Sequence, residues 1–515
     1  MDILIKGSES QLSSLSQTDT TGLGQKIRSG TLWSFIGNAL LQFLSLSTTV
    51  VLARLLSPQD FGVVAIAMTV WGIIQLFGSM GIGAKLIQQP DDVSRYASAA
   101  FWLNITIALC LSILTVIVAP FVASFYKNNL VKPILMVMGL GFFLDSFGTV
   151  HSVLLVKELD FKKRTLVDIA INLVTRAITI LMAFVGYGVW SLVIPQILSS
   201  PIRVFALWKI CPWRPNLEFN FLYWKRIFNF GKYILGTDLL RYINLNGDYT
   251  IVGRFLGPLE LGLYTFAYKL AMFPLENIVG VVYKVSFPAF SMLQNDLNRL
   301  REAFLKMTRL LSLISFPLFI GLMAMANELI PAVFGEKWNR SIVPLQIIIG
   351  FAMINSFVSP CGQIVLTLER PEIEFKFNLI QAPLLLGGIF IGVKYGIIGV
   401  AVAMSLVIGI MALVFLKLSI NLIGLGIKDI LNAFFPALSS SLIMLIPVLL
   451  IRYLLLYFGC RGYQVLLICI PFCGFMYLLA LLTFFKNNFQ MIWNMFMDIS
   501  GHCIISLKRV YVHNP

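Results

Sequence analysis

Charge is what this sequence has least of. Only 12% of its 515 residues are Asp, Glu, Lys or Arg, about half the share of an ordinary soluble domain. A chain so poor in charge cannot clothe a water-facing surface, which excludes a soluble enzyme, a coiled coil and a disordered chain. Histidine is scarcer still. His151, His502 and His513 are the only three, too few and too scattered for a metal centre or a His-based catalytic site. The seven cysteines (Cys110, Cys211, Cys361, Cys460, Cys469, Cys473, Cys503) are odd in number and form no C-x-x-C pair, so neither a disulfide framework nor a metal site is read from them. No G-x-x-x-x-G-K-[ST] loop is present to cradle nucleotide phosphates, which argues against direct use of ATP. No cofactor is implied.

Apolar residues fill the space that charge leaves. They make up 58% of the chain, and the mean hydropathy is +0.86. Many apolar runs approach the roughly 20 residues a helix needs to cross a bilayer, the mark of a polytopic helical membrane protein. A barrel would show short alternating segments instead, and is excluded. Fourteen spans are predicted, near 31–53, 61–83, 97–125, 133–155, 166–184, 188–208, 229–253, 261–283, 310–331, 341–368, 377–393, 397–416, 430–451 and 463–485. An even number returns both ends to one side. Of the 39 Lys and Arg residues, 25 fall on the side of the amino terminus, nine fall opposite, and five (Arg176, Arg203, Lys232, Arg241, Lys269) lie within spans. That asymmetry puts both termini in the cytoplasm.

The net charge of +15 follows from the same distribution. Its cations sit in predicted cytosolic loops such as 157–164 and 284–309, where orientation and contact with anionic lipid account for them without a nucleic-acid partner. The first 30 residues are Ser/Thr/Gly-rich and lack the apolar core of a secretory signal, so they read as a cytoplasmic leader. Past Lys486, Phe489, Ile492, Trp493, Phe496 and Met497 recur at helical spacing. They fit either a helix lying on the membrane interface or an ordinary packed helix end.

An internal repeat organises the spans. Val51 to Gly62 lies over Ile251 to Gly262 without a gap: Arg54, Leu56, Pro58 and Gly62 recur as Arg254, Leu256, Pro258 and Gly262, with Asp60 answered by Glu260. Tyr187-Gly188-Val189 returns as Tyr395-Gly396-Ile397, so the first twelve spans read as two copies of six. Because six is even, the copies share an orientation, an arrangement that places a substrate pathway between halves that rock. The Arg-x-Leu-x-Pro-x-acid-x-Gly element itself is better suited to structure than to substrate contact. It ends one helix, turns at Pro and places an acid at the positive end of the next, with Arg able to cap exposed carbonyls.

Charged groups at membrane depth are costly and mark function by default. On the seventh span Asp238, Arg241 and Asp248 fall within one arc, and the matching first span carries Asn38, Gln42, Ser45 and Thr49 along a line. Tyr268, Lys269, Met272 and Glu276 cluster on the eighth. Asp168, Asn172, Thr175, Arg176 and Thr179 line the fifth, and Gln196, Ser199 and Arg203 make a shorter row on the sixth. Any single residue could instead be a satisfied structural pair. The set as a whole favours a hydrated internal cavity, because so many polar lines turned to lipid would cost too much.

Arg54-Leu-Leu-Ser-Pro-Gln-Asp-Phe-Gly62, Asp248-Tyr-Thr-Ile-Val-Gly-Arg-Phe-Leu-Gly257, Leu261-Gly-Leu-Tyr264 and Tyr187-Gly-Val-Trp190 together resemble the bacterial polysaccharide transporter family. Its members are flippases for lipid-linked oligosaccharide units, in the superfamily that also holds MATE multidrug exporters. The likeness spans essentially the whole chain and is nearest to the colanic and teichuronic acid exporter type. It implies an all-α membrane protein of 14 transmembrane helices, with two pseudo-symmetric six-helix lobes in a MATE-like V and two C-terminal helices beyond them. The corresponding divisions are a leader (1–30), an N-lobe (31–210), a cytoplasmic linker (211–228), a C-lobe (229–419), spans 13 and 14 (430–485) and a cytoplasmic tail (486–515).

The resemblance further implies an undecaprenyl-pyrophosphate-linked repeat unit as cargo, carried from the cytoplasmic to the outer leaflet of the bacterial inner membrane for surface polysaccharide. It implies membrane lipids, a polysaccharide polymerase and export machinery as partners, and no enzymatic activity. Cavity arginines in such flippases hold the pyrophosphate, and Arg241, Lys269, Arg176 and Arg203 are the candidates here. Asp238, Asp248, Glu276 and Asp168 are candidates for coupling an ion or for balancing those cations. Two rivals stay open. A small-solute antiporter of the same fold would prefer an acidic or aromatic pocket, and a membrane-embedded polymerase would need longer outer loops.

Overall fold

A computed structural model describes residues 37, 40–79, 82–88, 92–158, 160–217 and 221–490. Among them the chain is helical throughout, with no strand. The helices are α1 (Leu40–Leu55), α2 (Pro58–Ser79), α3 (Ile82–Gln88), α4 (Val93–Phe125), α5 (Val131–Lys157), α6 (Phe161–Val185), α7 (Trp190–Ile210) and α8 (Phe221–Phe255). There follow α9 (Gly257–Met292), α10 (Leu297–Leu329), α11 (Ile342–Val358), α12 (Pro360–Thr367), α13 (Pro371–Gly392), α14 (Gly396–Leu422), α15 (Ile427–Tyr457) and α16 (Gly462–Phe484). Among the described residues ten segments are long and apolar enough to cross a bilayer, one of which, Pro371–Leu422, holds both α13 and α14. The interfacial tail read from sequence lies outside the described residues except for its first member, Phe489, which packs against the core of the C-terminal half.

Local chemistry sets the helix ends. Ser57 and Asp60 form a reciprocal cap at the start of α2: the Asp60 N–H donates to Ser57 Oγ at 3.2 Å, and Ser57 N–H and Oγ–H donate to Asp60 Oδ2 at 2.9 and 2.7 Å. Asp160 accepts from Lys163 N–H ahead of α6, and Asp296 accepts from the N–H groups of Asn298 and Arg299 ahead of α10. The apolar run 341–368, predicted as one span, is broken into α11 and α12. Pro360 lacks the N–H that would reach Ser356 O, and the Ser359 hydroxyl donates to that carbonyl instead, at 2.9 Å.

Packing divides the chain into two compact units, Met1–Leu259 and Glu260–Pro515. The first unit contains α8, although the sequence repeat assigns the seventh span to its second copy. Repeat register records ancestry of sequence, whereas packing is decided by side chains, and those of α8 meet α2 and α4. Tyr242 Oη–H donates to Thr69 O at 2.8 Å, Trp224 Nε1–H donates to Ala99 O at 2.9 Å, and the Arg254 guanidinium rests over the Phe125 ring at 5.2 Å. Gly72 is what lets Tyr242 in: a Cβ there would overlap its phenol. One buried cluster of this unit joins Leu86, Tyr96, Phe101, Leu155, Leu207 and Ile227. In the second unit α10 is central, packed on α11, α15 and α16 around Phe304, Phe316, Ile364, Met444 and Leu481.

Candidate functional site

The sixteen-residue lining of a cavity of about 390 Å³ inside the first unit gathers side chains from four helices. Trp71 and Gln75 come from α2, Asp145 from α5, Asp168, Asn172 and Thr175 from α6, and Gln196, Ser199, Ser200 and Arg203 from α7. Helical periodicity aims each row. Residues 168, 172 and 175 follow i, i+4, i+7, and 196, 199, 200 and 203 follow i, i+3, i+4, i+7, so each row occupies one face. Gly141 on α5 permits the close approach of α7, because a Cβ there would come within 2.8 Å of Ile197 Cγ1. Gly148 lies on the same face against Val204 and Leu207.

One guanidinium serves two carboxylates at this site. Arg203 Nη1–H donates to Asp145 Oδ2 at 3.2 Å and to Oδ1 at 3.4 Å, and Arg203 Nη2 lies 3.8 Å from Asp168 Oδ1. Asp168 in turn faces Arg164 Nε at 3.8 Å. Each of Arg203, Asp145 and Asp168 keeps about a third of its side chain exposed (33%, 36% and 30%), so these charges stay accessible to solvent. Asn172 Nδ2 donates to Asp168 O at 2.8 Å, which leaves its amide oxygen to accept. The side-chain amides of Gln75 and Gln196 bond to no other protein group among the described residues, and both residues are exposed. Two carboxylates against one guanidinium give the lining a formal charge of −1.

The structure brings together the rows read on the fifth and sixth spans, and of the four candidate cations only Arg203 lines this cavity. Arg176, on α6, is half-buried with its Nε unpartnered. Arg241 is exposed on α8, where Asp238 is half-buried and Asp248 is buried, accepting from the Tyr249 N–H at 2.9 Å. Lys269 and Glu276 are exposed on α9, in the second unit. Gln42 is exposed, Ser45 half-buried, and the Thr49 hydroxyl donates to Ser45 O, while Asn38 falls outside the described residues.

In the repeat turns, Pro58 opens α2 and Gly62 sits in its second turn, with Asp60 in the first. Gly257, Pro258 and Glu260 open α9, with Gly262 following, and Glu260 pairs with Arg340. Arg54 is exposed at the end of α1, and Arg254 lies over an aromatic ring, not on carbonyls. Sequence reasoning missed Asp145, Gln75 and Trp71. Asp145 did leave a signal, as the lone acid of the fourth predicted span. Glu328 and Arg452 were missed as well. They form an ion pair at 2.8 Å between α10 and α15, with Glu328 only 7% exposed.

Residues 51–343 match the polysaccharide biosynthesis protein family. The chain belongs to that family. Within its reach, the chain is 27% identical over 388 residues to the lipopolysaccharide biosynthesis protein WzxC of Escherichia coli K12, covering 75% of this chain and 79% of that protein. It is 28% identical over 356 residues to the teichuronic acid biosynthesis protein TuaB of Bacillus subtilis 168, covering 69% and 74%. The fold is that of the lipid II flippase MurJ in its inward closed conformation, with a TM-score of 0.71 and 18% identity over 88% of this chain and 99% of that one. This member of the polysaccharide biosynthesis family is thus a multi-pass membrane protein, as the resemblance implied, with a MurJ-like fold.

Proposed function

We infer that this chain is a flippase: it moves undecaprenyl-pyrophosphate-linked oligosaccharide repeat units from the cytoplasmic to the outer leaflet by alternating access. The observation that carries this reading is a solvent-accessible, charged chamber among apolar helices in a chain of the polysaccharide biosynthesis family. A lipid-linked sugar has one obstacle to crossing. Its hydroxyls and phosphates cannot enter hydrocarbon without hydrogen-bonding partners, whereas its prenyl tail is at home there. A polar chamber within the bundle supplies those partners and lets the tail stay in lipid.

The remaining features of the reading are consistent with that task. Each of the fourteen predicted spans coincides with helix among the described residues. With both termini cytoplasmic, the Lys/Arg-rich loops face anionic lipid. Arg241, Arg176, Lys269 and Arg203 are the cations assigned to the pyrophosphate; Asp238, Asp248, Glu276 and Asp168 balance them or couple a returning ion. Outward movement of about two negative charges in an inside-negative cell gains roughly 4–5 kcal/mol per 100 mV. The substrates in the relatives' names, a lipopolysaccharide and a teichuronic acid, support surface polysaccharide as the destination.

One observation favours a rival. A lining of net charge −1 with Trp71 and Phe142 beside it suits an organic cation, as a drug antiporter of this fold would require. Deletion of the gene separates the readings. The flippase reading expects loss of surface polysaccharide with lipid-linked repeat units accumulating in the cytoplasmic leaflet. An antiporter would leave the polysaccharide intact and change sensitivity to organic cations, and a polymerase would leave single units in the outer leaflet.

A further inference from the structure

We propose that Asp145 is a positioning residue for the cargo: it holds the Arg203 guanidinium while the cavity is empty, competes with the pyrophosphate for it when cargo enters, and by that competition lets the cargo leave. The proposal rests on the flippase reading, which gives Arg203 to the pyrophosphate, and concerns the carboxylate that Arg203 then gives up. Its first ground is how Arg203 is held. Of the five N–H donors of a guanidinium, only Nη1–H is committed, to Asp145 Oδ2 at 3.2 Å and Oδ1 at 3.4 Å. Nη2 stands 3.8 Å from Asp168 Oδ1, beyond hydrogen-bond reach, and Nε–H has no partner among the described residues. A phosphate can therefore settle on the Nη2 and Nε edge, the paired geometry that a guanidinium offers to such an anion, while Nη1 still holds Asp145. Exchange then runs one bond at a time, and no step leaves the cation bare.

The second ground is an asymmetry between the two carboxylates. Arg164, Asp168, Arg203 and Asp145 balance two against two in the empty cavity. Asp168 keeps a cation whichever way Arg203 turns, because Arg164 Nε lies 3.8 Å from its Oδ2. Asp145 does not: Arg203 is its one cation among the described residues. Once Arg203 faces a phosphate, Asp145 is the anion left over. Both anions then contend for one guanidinium in a cavity of about 390 Å³, at the small end of the roughly 300–1,000 Å³ usual for ligand pockets. Their repulsion favours the return of Arg203 to Asp145. A carrier needs that return, since a site on a transport path must bind weakly enough for its occupant to leave. A fixed tie between α5 and α7 is the plainer use of the same pair, and it predicts the opposite change in affinity when Asp145 is neutralised.

Calorimetric titration of the full-length protein in lipid nanodiscs with inorganic pyrophosphate, set beside polysaccharide export by cells carrying the same variant, tests this. Asp145→Asn should tighten pyrophosphate binding about fivefold, the factor that loss of a competing contact of about 1 kcal/mol gives, while export slows because release is impaired. Asp145→Glu keeps a competing carboxylate and should hold the affinity near that of the unaltered protein, and Arg203→Ala should weaken binding. The unaltered protein gives a check that depends on no variant: pyrophosphate should shift an aspartate carboxylate band in the infrared difference spectrum as its guanidinium partner turns away. Unchanged or weaker binding in Asp145→Asn, tighter binding with undiminished export, full binding in Arg203→Ala, or an infrared spectrum without a carboxylate change would each overturn the proposal. The two readings fail separately. If gene deletion abolishes export but Asp145→Asn binds pyrophosphate no more tightly, the flippase stands and the competition falls; if deletion leaves export intact, the flippase reading itself falls.

Discussion

Arg203 holds its neighbourhood together through charge, and its removal has a calculable direction. Arg203→Ala leaves Asp145 and Asp168 facing each other across the cavity without their shared counter-ion. A fully buried pair broken in this way costs about 3–5 kcal/mol, but these groups are about a third exposed, so about 1–2 kcal/mol is expected. Thermal unfolding in detergent checks this, and Asp145→Asn added to Arg203→Ala should return part of the loss, because it removes a stranded charge. Arg203→Lys keeps the charge but lacks the planar fork that reaches two carboxylates, so it should fall between wild type and Arg203→Ala. Glu328 is the harsher case. With 7% exposure and one partner in Arg452, it would be left as a buried, uncompensated charge in Arg452→Ala, at about 3–5 kcal/mol. That loss should appear as a lowered melting temperature, and Glu328→Gln on top of it should recover stability.

Elements carry the next level of argument, and α5 is the instructive one. Its Gly141, Asp145 and Gly148 lie on one face toward α7, so close packing and ion pairing share a surface. Gly141→Leu should drive α7 outward by overpacking against Ile197, at about 1–3 kcal/mol, and weaken the Asp145–Arg203 contact with it. Loss of export with normal membrane insertion, measured beside the melting temperature, is the expected result; unchanged export would show that the α5–α7 spacing does not matter to function. The α5 case also shows where sequence stops being legible. The rows on α6 and α7 could be read because three or four polar residues recur at helical spacing, whereas Asp145 is a single acid in an apolar, Gly-rich run, and one residue has no period. Its bond to Arg203 joins positions 58 apart, and that of Glu328 to Arg452 joins positions 124 apart, which no local pattern encodes. Helix positions were legible because long apolar runs and acidic caps are local. The break at Pro360 was not, because the run stays apolar across it. Residues 211–217, the first part of the segment 211–228 read as a linker, have hydrogen bonds of their own: Trp102 Nε1–H donates to Asn216 O at 2.9 Å, and Arg214 donates to the carbonyls of Trp208, Cys211 and Trp213.

At the scale of the whole molecule, the direction in which the chain faces the two sides of the membrane sets the direction of transport. On the inferred topology, cysteines placed at Asn128 and Asn339 in a cysteine-free background react with a membrane-impermeant maleimide added to intact cells, and one at Lys163 reacts only after permeabilisation. The reverse pattern would invert the orientation and with it the direction of transport. The sequence repeat does not reveal that α8 packs on α2 and α4, because matching sequence fixes neither which surfaces are complementary nor where polar groups concentrate. The charged cavity illustrates this: its side chains all belong to the unit ending at Leu259, whereas in the other unit α10 carries both the Ser315–Ser356 hydroxyl contact with α11 and the Glu328–Arg452 ion pair with α15.

The Glu328–Arg452 bond also sets an order of events during synthesis. Ribosomes deliver residue 328 to the membrane well before residue 452 exists, since chains grow from the amino terminus at about 5–20 residues per second. Throughout that interval Glu328 lacks the partner it has in the folded chain, and only the arrival of α15 supplies it. A chain stopped short of residue 452 would therefore carry Glu328 without the partner it has in the complete fold.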